Sequence, residues 1–235
     1  MSSSELAMIG RGQTDFARFP SFAARLYSSL TRTRAIQEQH REIASYLASK
    51  IDRGRVLDIG PGPGCLLFEL HRCSPAFDLF GLDISQSMVE LARSQLSGTG
   101  VEILQGDIRQ TRFESSFFDL VSCTGSFYLW DQPRECLEEV FRILKPHRSA
   151  YLFETYSDCE RSEVIAALKA NLKDENLVRR VIAPRLFLNQ LKMTYKTSEI
   201  DAIIQQTSFA NSFATERIRL TGVPAWLRIT LERAA

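Results

Sequence analysis

The sequence predicts an α/β protein with a seven-stranded, mostly parallel sheet that ends in an antiparallel hairpin, helices on both faces and a helical lid at the N-terminus. Three observations lead to this prediction. Short apolar runs alternate with helical patterns from residue 55 onward, which is typical of repeated βα units. Two strand-like runs joined by a short turn follow near the end. A helical segment precedes the first strand, so it must pack across the sheet or cap it.

The N-terminal segment, residues 1–50, is predicted to form this cap or lid. Its first helix has apolar positions three to four residues apart, at Phe16, Phe19, Phe22 and Leu26. Its second helix carries Ile36, Ile43, Tyr46 and Leu47. Residues 51–235 are predicted to form one Rossmann-like domain with a helical insertion at about 157–193. A chain of 235 residues suits one well-buried α/β domain.

Seven strands are predicted after the lid. The first five cover residues 56–59, 77–82, 101–104, 119–123 and 150–153, and the hairpin covers 212–220 and 225–231. Helices are predicted around 66–70, after Ser85, and from Pro133, which suits a first helical position, to a stop at Pro146. A further helix is predicted to open near Thr197.

The charge balance gives no general reason to expect a nucleic-acid or membrane partner. The net charge is +1, although residues 51–160 carry 10 basic and 17 acidic side chains and both flanks are mildly basic. One interpretation is that these charges lie on solvated helix faces. The alternative is that the two basic flanks frame a pocket for an anionic or polar substrate. No apolar run approaches the roughly 20 residues that span a bilayer.

Cysteine and histidine usage predicts neither a disulfide framework nor a metal site. The five cysteines are odd in number and include no C-x-x-C pair, and the three histidines are scattered. The first residues lack the basic and apolar regions of a secretory signal. We therefore expect reduced thiols and a cytoplasmic location.

A glycine-rich turn is the first candidate site. Gly60, Gly62 and Gly64 directly follow a strand and directly precede a helix, where glycine allows positive φ and the helix N-terminus offers free N–H groups. The spacing G-x-G-x-G differs from the G-x-G-x-x-G of dinucleotide binders. Taken alone, the loop could also be a simple strand-to-helix turn.

Two acidic residues at strand ends extend the candidate site. Asp83 ends the second strand, where a carboxylate can accept hydrogen bonds from both hydroxyls of a ribose. Asp107 ends the third, and with Ile108 it suits the exocyclic amine and the face of adenine. As single residues, both could instead be caps or turn residues.

Together these segments resemble the successive motifs of class I, Rossmann-like S-adenosylmethionine-dependent methyltransferases. The matching runs are Val56–Gly64, Gly81–Ser85, Gly106–Ile108 and Phe118–Val121. The run Leu137–Pro146 is similar to the helix before strand five in the small-molecule branch that includes ubiquinone/menaquinone-biosynthesis methyltransferases. His147 and Arg148 stand where that family usually has Gly-Gly, in a turn remote from the expected cofactor site.

The resemblance implies specific roles toward the cofactor S-adenosylmethionine. The glycine loop would hold its aminocarboxypropyl part, with Asp58 placing the ammonium, and Asp83 would hold the ribose. Three residues would hold the adenine, namely Ile84, Asp107 and Ile108. Cys123 and Thr124, at the end of strand four, would line the methionine and the sulfonium.

The acceptor side is predicted from aromatic and titratable residues at the same sheet edge or in the lid. The substrate candidates are Phe16, Phe19, Tyr27, Phe127, Tyr128 and Tyr156. Core packing is the alternative for the lid aromatics. If the reaction needs a general base, the candidates are Tyr27, Tyr128 and Glu154.

The sequence therefore predicts a methyltransferase that acts on a small-molecule acceptor by in-line displacement. Methylation of a protein or nucleic acid, or a non-catalytic S-adenosylmethionine-binding partner subunit, are the alternatives. The absence of a Pro-Pro-aromatic tetrad after strand four and of a strong basic stripe argues against nucleic acid. No metal and no membrane partner are expected, and a homodimer stays open.

Overall fold

The structure, a computed structural model, describes residues 33–234. Its sheet has seven strands in the order β3-β2-β1-β4-β5-β7-β6. The strands are β1 (Gly54–Ile59), β2 (Phe77–Asp83), β3 (Glu102–Gln105), β4 (Phe118–Thr124), β5 (Leu144–Thr155), β6 (Phe213–Leu220) and β7 (Val223–Glu232). Strands β1 to β5 pair in parallel, and β7 runs antiparallel to both β5 and β6. The predicted mostly parallel sheet with a terminal hairpin is confirmed.

Seven α-helices lie within the described residues. They are α1 (Arg34–Ala48), α2 (Cys65–Cys73), α3 (Gln86–Gln95), α4 (Pro133–Ile143), α5 (Arg161–Asn171), α6 (Leu177–Leu191) and α7 (Thr197–Ile204). A 3₁₀ turn spans Phe127–Leu129. Helix α1 is the predicted second helix of the lid, whereas the predicted first helix, with Phe16, Phe19, Phe22 and Leu26, lies outside the described residues.

The core consists of one apolar layer on each face of the sheet. Helices α4 and α7 cover one face, with Leu137, Val140 and Ile200 fully buried against it. Helices α1, α2, α3, α5 and α6 cover the other, where Leu47 and Leu67 are buried. An interior with helices on both faces explains why the central strands are apolar on both sides.

The junction between α4 and β5 differs from the prediction. We expected the helix to stop at Pro146 and the strand to begin at residue 150, but α4 ends at Ile143 and β5 begins at Leu144. Leu144 pairs with Phe118, and the register then shifts before Leu120 pairs with Ser149. The shift accommodates Pro146, since an irregular stretch tolerates a residue without a backbone N–H.

The hairpin β6–β7 turns through only two residues. Thr221 and Gly222 both have positive φ, 48° and 78°, which matches the turn that suits the twist of two antiparallel strands. The connection is therefore tighter than the four-residue link expected from the sequence.

Residues 33–234 contain neither a membrane-spanning helix nor a metal-binding cluster. No helix there combines the length and apolar character needed to cross a bilayer. No cluster of three or more His, Cys, Asp or Glu side chains there could hold a metal ion. All five cysteines are free thiols.

Candidate functional site

The site lies where the strand order changes direction. Strand β1 pairs with β2 on one side and with β4 on the other, so the chain leaves β1 toward one half of the sheet and later returns to build the other half. In open α/β sheets, ligands bind at the carboxyl ends of the strands at such a point. Here this edge gathers Asp58, the glycine loop, Asp83 and Thr124.

The glycine loop has the backbone that only glycine adopts readily. Gly60 and Gly62 have φ of +67° and +53°. A Cβ at Gly60 would collide with the Oγ of Ser126, whereas a Cβ at Gly62 would meet nothing within 4 Å. Gly64 lies at the N-cap of α2. The loop is thus packed at Gly60 against Ser126, which follows β4, and is open at Gly62.

Asp58 lies beneath the loop on β1 and is 2% exposed. Its Oδ1 accepts a hydrogen bond of 2.8 Å from the Oγ of Ser122, which is its register partner on β4. Burial raises the pKa of Asp58 to about 7; the Ser122 bond opposes this rise and the neighbouring Asp83 adds to it. Asp58 therefore titrates near neutral pH.

Asp83 ends β2 and is 5% exposed. Its Oδ1 accepts from the N–H of Ser85 at 2.9 Å, and its Oδ2 accepts from the N–H of Gly62 at 3.2 Å. Burial raises the pKa of Asp83 to about 6, although both backbone bonds favour the ionised form. Through Gly62, this carboxylate also fixes the open part of the loop.

This arrangement fits a ligand that carries positive charge and hydroxyl groups. Within residues 33–234, no Lys, Arg or His forms a salt bridge with Asp58 or Asp83. Buried carboxylates are normally paired, because isolated charges are costly in a low dielectric. The Oγ1 of Thr124 is also buried and has no hydrogen-bond partner there. S-adenosylmethionine offers an ammonium, a sulfonium and ribose hydroxyls, so these residues suit it.

The predicted adenine residues lie around the end of β3. Ile84 is half-buried, but Ile108 is 1% exposed and belongs to the apolar core. The Oδ2 of Asp107 accepts two hydrogen bonds from the guanidinium of Arg109, at 2.8 and 2.5 Å, and its Oδ1 accepts the backbone N–H of Arg109 at 2.9 Å. A carboxylate has about four acceptor positions, so one is left for a ligand amine.

The two predicted residues at the end of β4 face opposite sides, as neighbours in a strand must. Thr124 lies on the face of Ser122 and Asp58. Cys123 lies on the other face, 1% exposed, with its Sγ 3.0 Å from the Oγ of Ser126. Burial raises the pKa of Cys123, so its sulfur is a neutral thiol.

The predicted acceptor residues divide into three groups. Phe16, Phe19 and Tyr27 lie outside the described residues. Phe127 and Tyr156 are buried in the core, where Phe127 packs on Trp130 at a ring-centroid distance of 5.0 Å. Tyr128 is half-buried, and Glu154 is fully buried.

Sequence reasoning missed Ser122 and Ser126. Ser126 donates from its Oγ to the carbonyl oxygen of Ile59 at 3.1 Å, which ties the β4 loop to the end of β1. Ser122 could have been found, because it lies two residues before Thr124 and therefore on the same face of an apolar strand. Nothing in the sequence indicates the contact of Ser126.

The chain is similar to known methyltransferases in sequence and in fold. Residues 56–147 match the model of a family described as methyltransferase domain. The uncharacterised methyltransferase YdaC of Bacillus subtilis is 30% identical over 97 residues, which cover 41% of this chain and 54% of that protein. A demethylmenaquinone methyltransferase of Deinococcus radiodurans is 28% identical over 148 residues, 61% of each chain. The chain thus spans less than two thirds of these relatives' length.

A solved structure extends the similarity of fold over nearly the whole chain. It is a putative S-adenosyl-L-methionine-dependent methyltransferase from Methanococcus maripaludis, with a TM-score of 0.68 and 18% identity, covering 93% of this chain and 95% of that one. The fold is therefore that of Rossmann-like S-adenosylmethionine-dependent methyltransferases. In sequence, residues 56–147 are similar to a methyltransferase domain, and parts of the chain are similar to ubiquinone and menaquinone methyltransferases.

Proposed function

We propose that this chain transfers the methyl group of S-adenosylmethionine to a small-molecule acceptor. The observation that carries the proposal is the pair of buried carboxylates, Asp58 and Asp83, beneath a glycine loop and without a cationic side-chain partner in residues 33–234. The Deinococcus radiodurans relative, a demethylmenaquinone methyltransferase, supports an acceptor of small-molecule size.

The cofactor's parts are assigned by charge and hydrogen-bonding capacity. Asp58 would pair with the ammonium, and Asp83 would accept from the ribose hydroxyls. Thr124 would give its unpartnered hydroxyl to the methionine part, and Cys123 would contribute packing from the opposite face. Ile84 and the remaining acceptor position of Asp107 would meet the adenine, while Ile108 supports them from the core.

When bound, S-adenosylmethionine supplies a methyl group on a sulfonium that leaves as a neutral thioether. The chain's own task is then to align the acceptor and exclude water. Apolar side chains next to Thr124 could line the acceptor. The indole of Trp226 lies 3.9 Å from the position that a Cβ on Gly125 would occupy, and Phe187 packs on Trp226. Tyr128 borders the same edge.

Binding should be tested first, by titration calorimetry with S-adenosylmethionine and with NAD. We expect S-adenosylmethionine to bind more tightly, and Asp83→Asn to weaken it at least about tenfold, since hydrogen bonds to a charged acceptor contribute about 1.5–3 kcal/mol. Asp78→Asn, at the exposed opposite end of the same strand, is the matched control and should bind normally. Tighter binding of NAD would overturn the assignment.

Turnover should then be measured as release of S-adenosylhomocysteine in the presence of quinols, phenols, amines, a peptide mixture and RNA. We expect turnover with a member of the small-molecule classes. Turnover confined to peptide or RNA would overturn the proposed acceptor class. Cofactor binding without turnover on any acceptor would indicate a partner subunit instead.

A further inference from the structure

Glu154 is a fully buried carboxylate that the proposed cofactor contacts do not use. It is the penultimate residue of β5, pairs with Leu227 of β7 and is 0% exposed. Its position at the carboxyl edge made it a candidate general base in the sequence. Its surroundings in the fold indicate another role.

Both carboxylate oxygens of Glu154 are occupied by donors from the chain. Oε1 accepts from the N–H of Thr155 at 2.8 Å and from its hydroxyl at 3.3 Å. Oε2 accepts from the N–H of Tyr128 at 3.3 Å, and the N–H of Phe127 contributes as well. The carboxylate therefore caps the 3₁₀ turn Phe127–Leu129. A group that takes a proton from a bound substrate would instead have to be accessible to that substrate.

The capped turn is also fixed at its beginning. Gly125 donates from its N–H to the carbonyl of Phe153 at 2.8 Å. Ser126 donates to the carbonyl of Ile59, and its hydroxyl occupies the space that a Cβ at Gly60 would need. The segment Gly125–Trp130 thus bridges the glycine loop of β1 and the end of β5, and Glu154 is its attachment on the β5 side.

We propose that Glu154 is a positioning residue, whose carboxylate holds the segment Gly125–Trp130 against the sheet so that Tyr128 keeps the position needed for methyl transfer. This inference rests on the proposed function. It replaces the general-base role for Glu154, because the carboxylate is 0% exposed and both of its oxygens point at donors of the chain and not at an open site.

The attachment is sensitive to pH. Burial raises the pKa of Glu154 to about 7, although the N–H groups of Thr155, Tyr128 and Phe127 favour the ionised form. The charge of Glu154 in turn helps to raise the pKa of Cys123 of β4, which is a neutral thiol. On β7, Glu154 faces the apolar Leu227. A protonated Glu154 carries an O–H donor that faces the N–H donors of the chain. The hydrogen bonds that hold the segment Gly125–Trp130 are therefore weakened as the pH falls through about 7.

The fluorescence of Trp130 reports on the packing of the segment Gly125–Trp130. This residue follows the 3₁₀ turn, is 3% exposed and packs on Phe127. In the Trp226→Phe background, Trp130 is the sole tryptophan of the chain. We expect its fluorescence to show a transition near pH 7 that disappears in Glu154→Gln. This measurement needs no methyl acceptor, so its failure differs from a failure to find activity.

Kinetics measure the effect of the positioning on methyl transfer, and the Trp130 titration distinguishes positioning from base catalysis. In Glu154→Gln we expect kcat to fall by about ten- to a hundredfold, the size of a small misplacement of reacting groups, while S-adenosylhomocysteine binds within about twofold of wild type. The control is Asp119→Asn: Asp119 is also a buried carboxylate that accepts a backbone N–H, from Arg55 at 3.0 Å, but it lies at the opposite edge of the sheet. It should lose stability and keep kcat.

Three results would overturn the inference. The first is a Trp130 titration in the wild-type Glu154 background that lacks the transition. The second is a Glu154→Gln protein with unchanged kcat. The third is a loss of kcat with an unaltered Trp130 titration, which would restore the general base. If Glu154→Gln does not fold, two other measurements test the inference. One is the Trp130 titration of the protein that retains Glu154. The other is the same titration in Glu154→Asp, whose shorter side chain should shift the midpoint of the transition.

Discussion

Binding of S-adenosylhomocysteine is expected to tighten about eightfold between pH 6.0 and pH 7.5, because Asp58 must ionise to pair with the ligand's ammonium. The perturbation is pH alone, compared between the wild-type chain and Asp58→Asn. Asp58 is 2% exposed, and its pKa of about 7 places its titration inside this range. Few other binding contacts would respond to so small a change.

The magnitude follows from the ionised fraction. With a pKa of about 7, roughly one Asp58 in eleven is ionised at pH 6.0 and roughly three in four at pH 7.5, and the ratio is about eight. The direction is fixed by the raised pKa: the ligand-free protein holds a proton that binding of a cation must expel, so affinity rises with pH. Asp83, with a pKa of about 6, adds up to about twofold in the same direction.

The assay is titration calorimetry at the two pH values in buffers of different ionisation heat, which also counts the released protons. Methylthioadenosine, which has the ribose and adenine but no ammonium, is the matched ligand and should show only the small Asp83 contribution. Asp58→Asn should bind weakly with that same small dependence. Equal affinity at both pH values, or an eightfold dependence that persists in Asp58→Asn, would refute the reasoning.

Two other variants test the surroundings of the loop. Ser122→Ala removes the 2.8 Å hydrogen bond that favours ionised Asp58, so the pH midpoint of ligand binding should move upward in the same calorimetric series; an unmoved midpoint would contradict the role of the bond. Gly60→Ala places a methyl group against Ser126 at a φ of +67°, so thermal unfolding should show a loss of about 1–3 kcal/mol; Gly62→Ala, where space is open, should lose less, and equal losses would argue against the collision.

Alternation of apolar runs and helical patterns was enough to predict the sheet. Parallel strands bring their carboxyl ends to one edge, so Asp58, Asp83 and Thr124 could be grouped without coordinates. The boundary at Pro146 was wrong, because proline usually ends a helix by itself. Here Leu144 already pairs with Phe118, and the strand tolerates the proline at a register shift.

What the sequence could not predict depends on side chains that meet only in the fold. The salt bridge from Arg109 to Asp107 is local, but whether Arg109 turns toward that carboxylate depends on the surrounding loop. Likewise, the burial of Glu154 and its bonds to Tyr128 and Thr155 require β5 to meet the segment after β4. From the sequence alone, an acidic residue at a strand end is a candidate catalytic residue. Only its hydrogen-bond partners in the fold show that it has a structural role.

The placement of β7 has a consequence for how the molecule assembles. Strands β1, β2 and β3 pair within one continuous stretch of chain, residues 54–105, and β4 then pairs with the other side of β1. Strand β6 touches the sheet only through β7, which is made after it and inserts between β5 and β6. During synthesis on the ribosome, the edge of β5 therefore stays unpaired until Val223–Glu232 has been made. Such an open edge is prone to wrong pairing until the hairpin β6–β7 covers it.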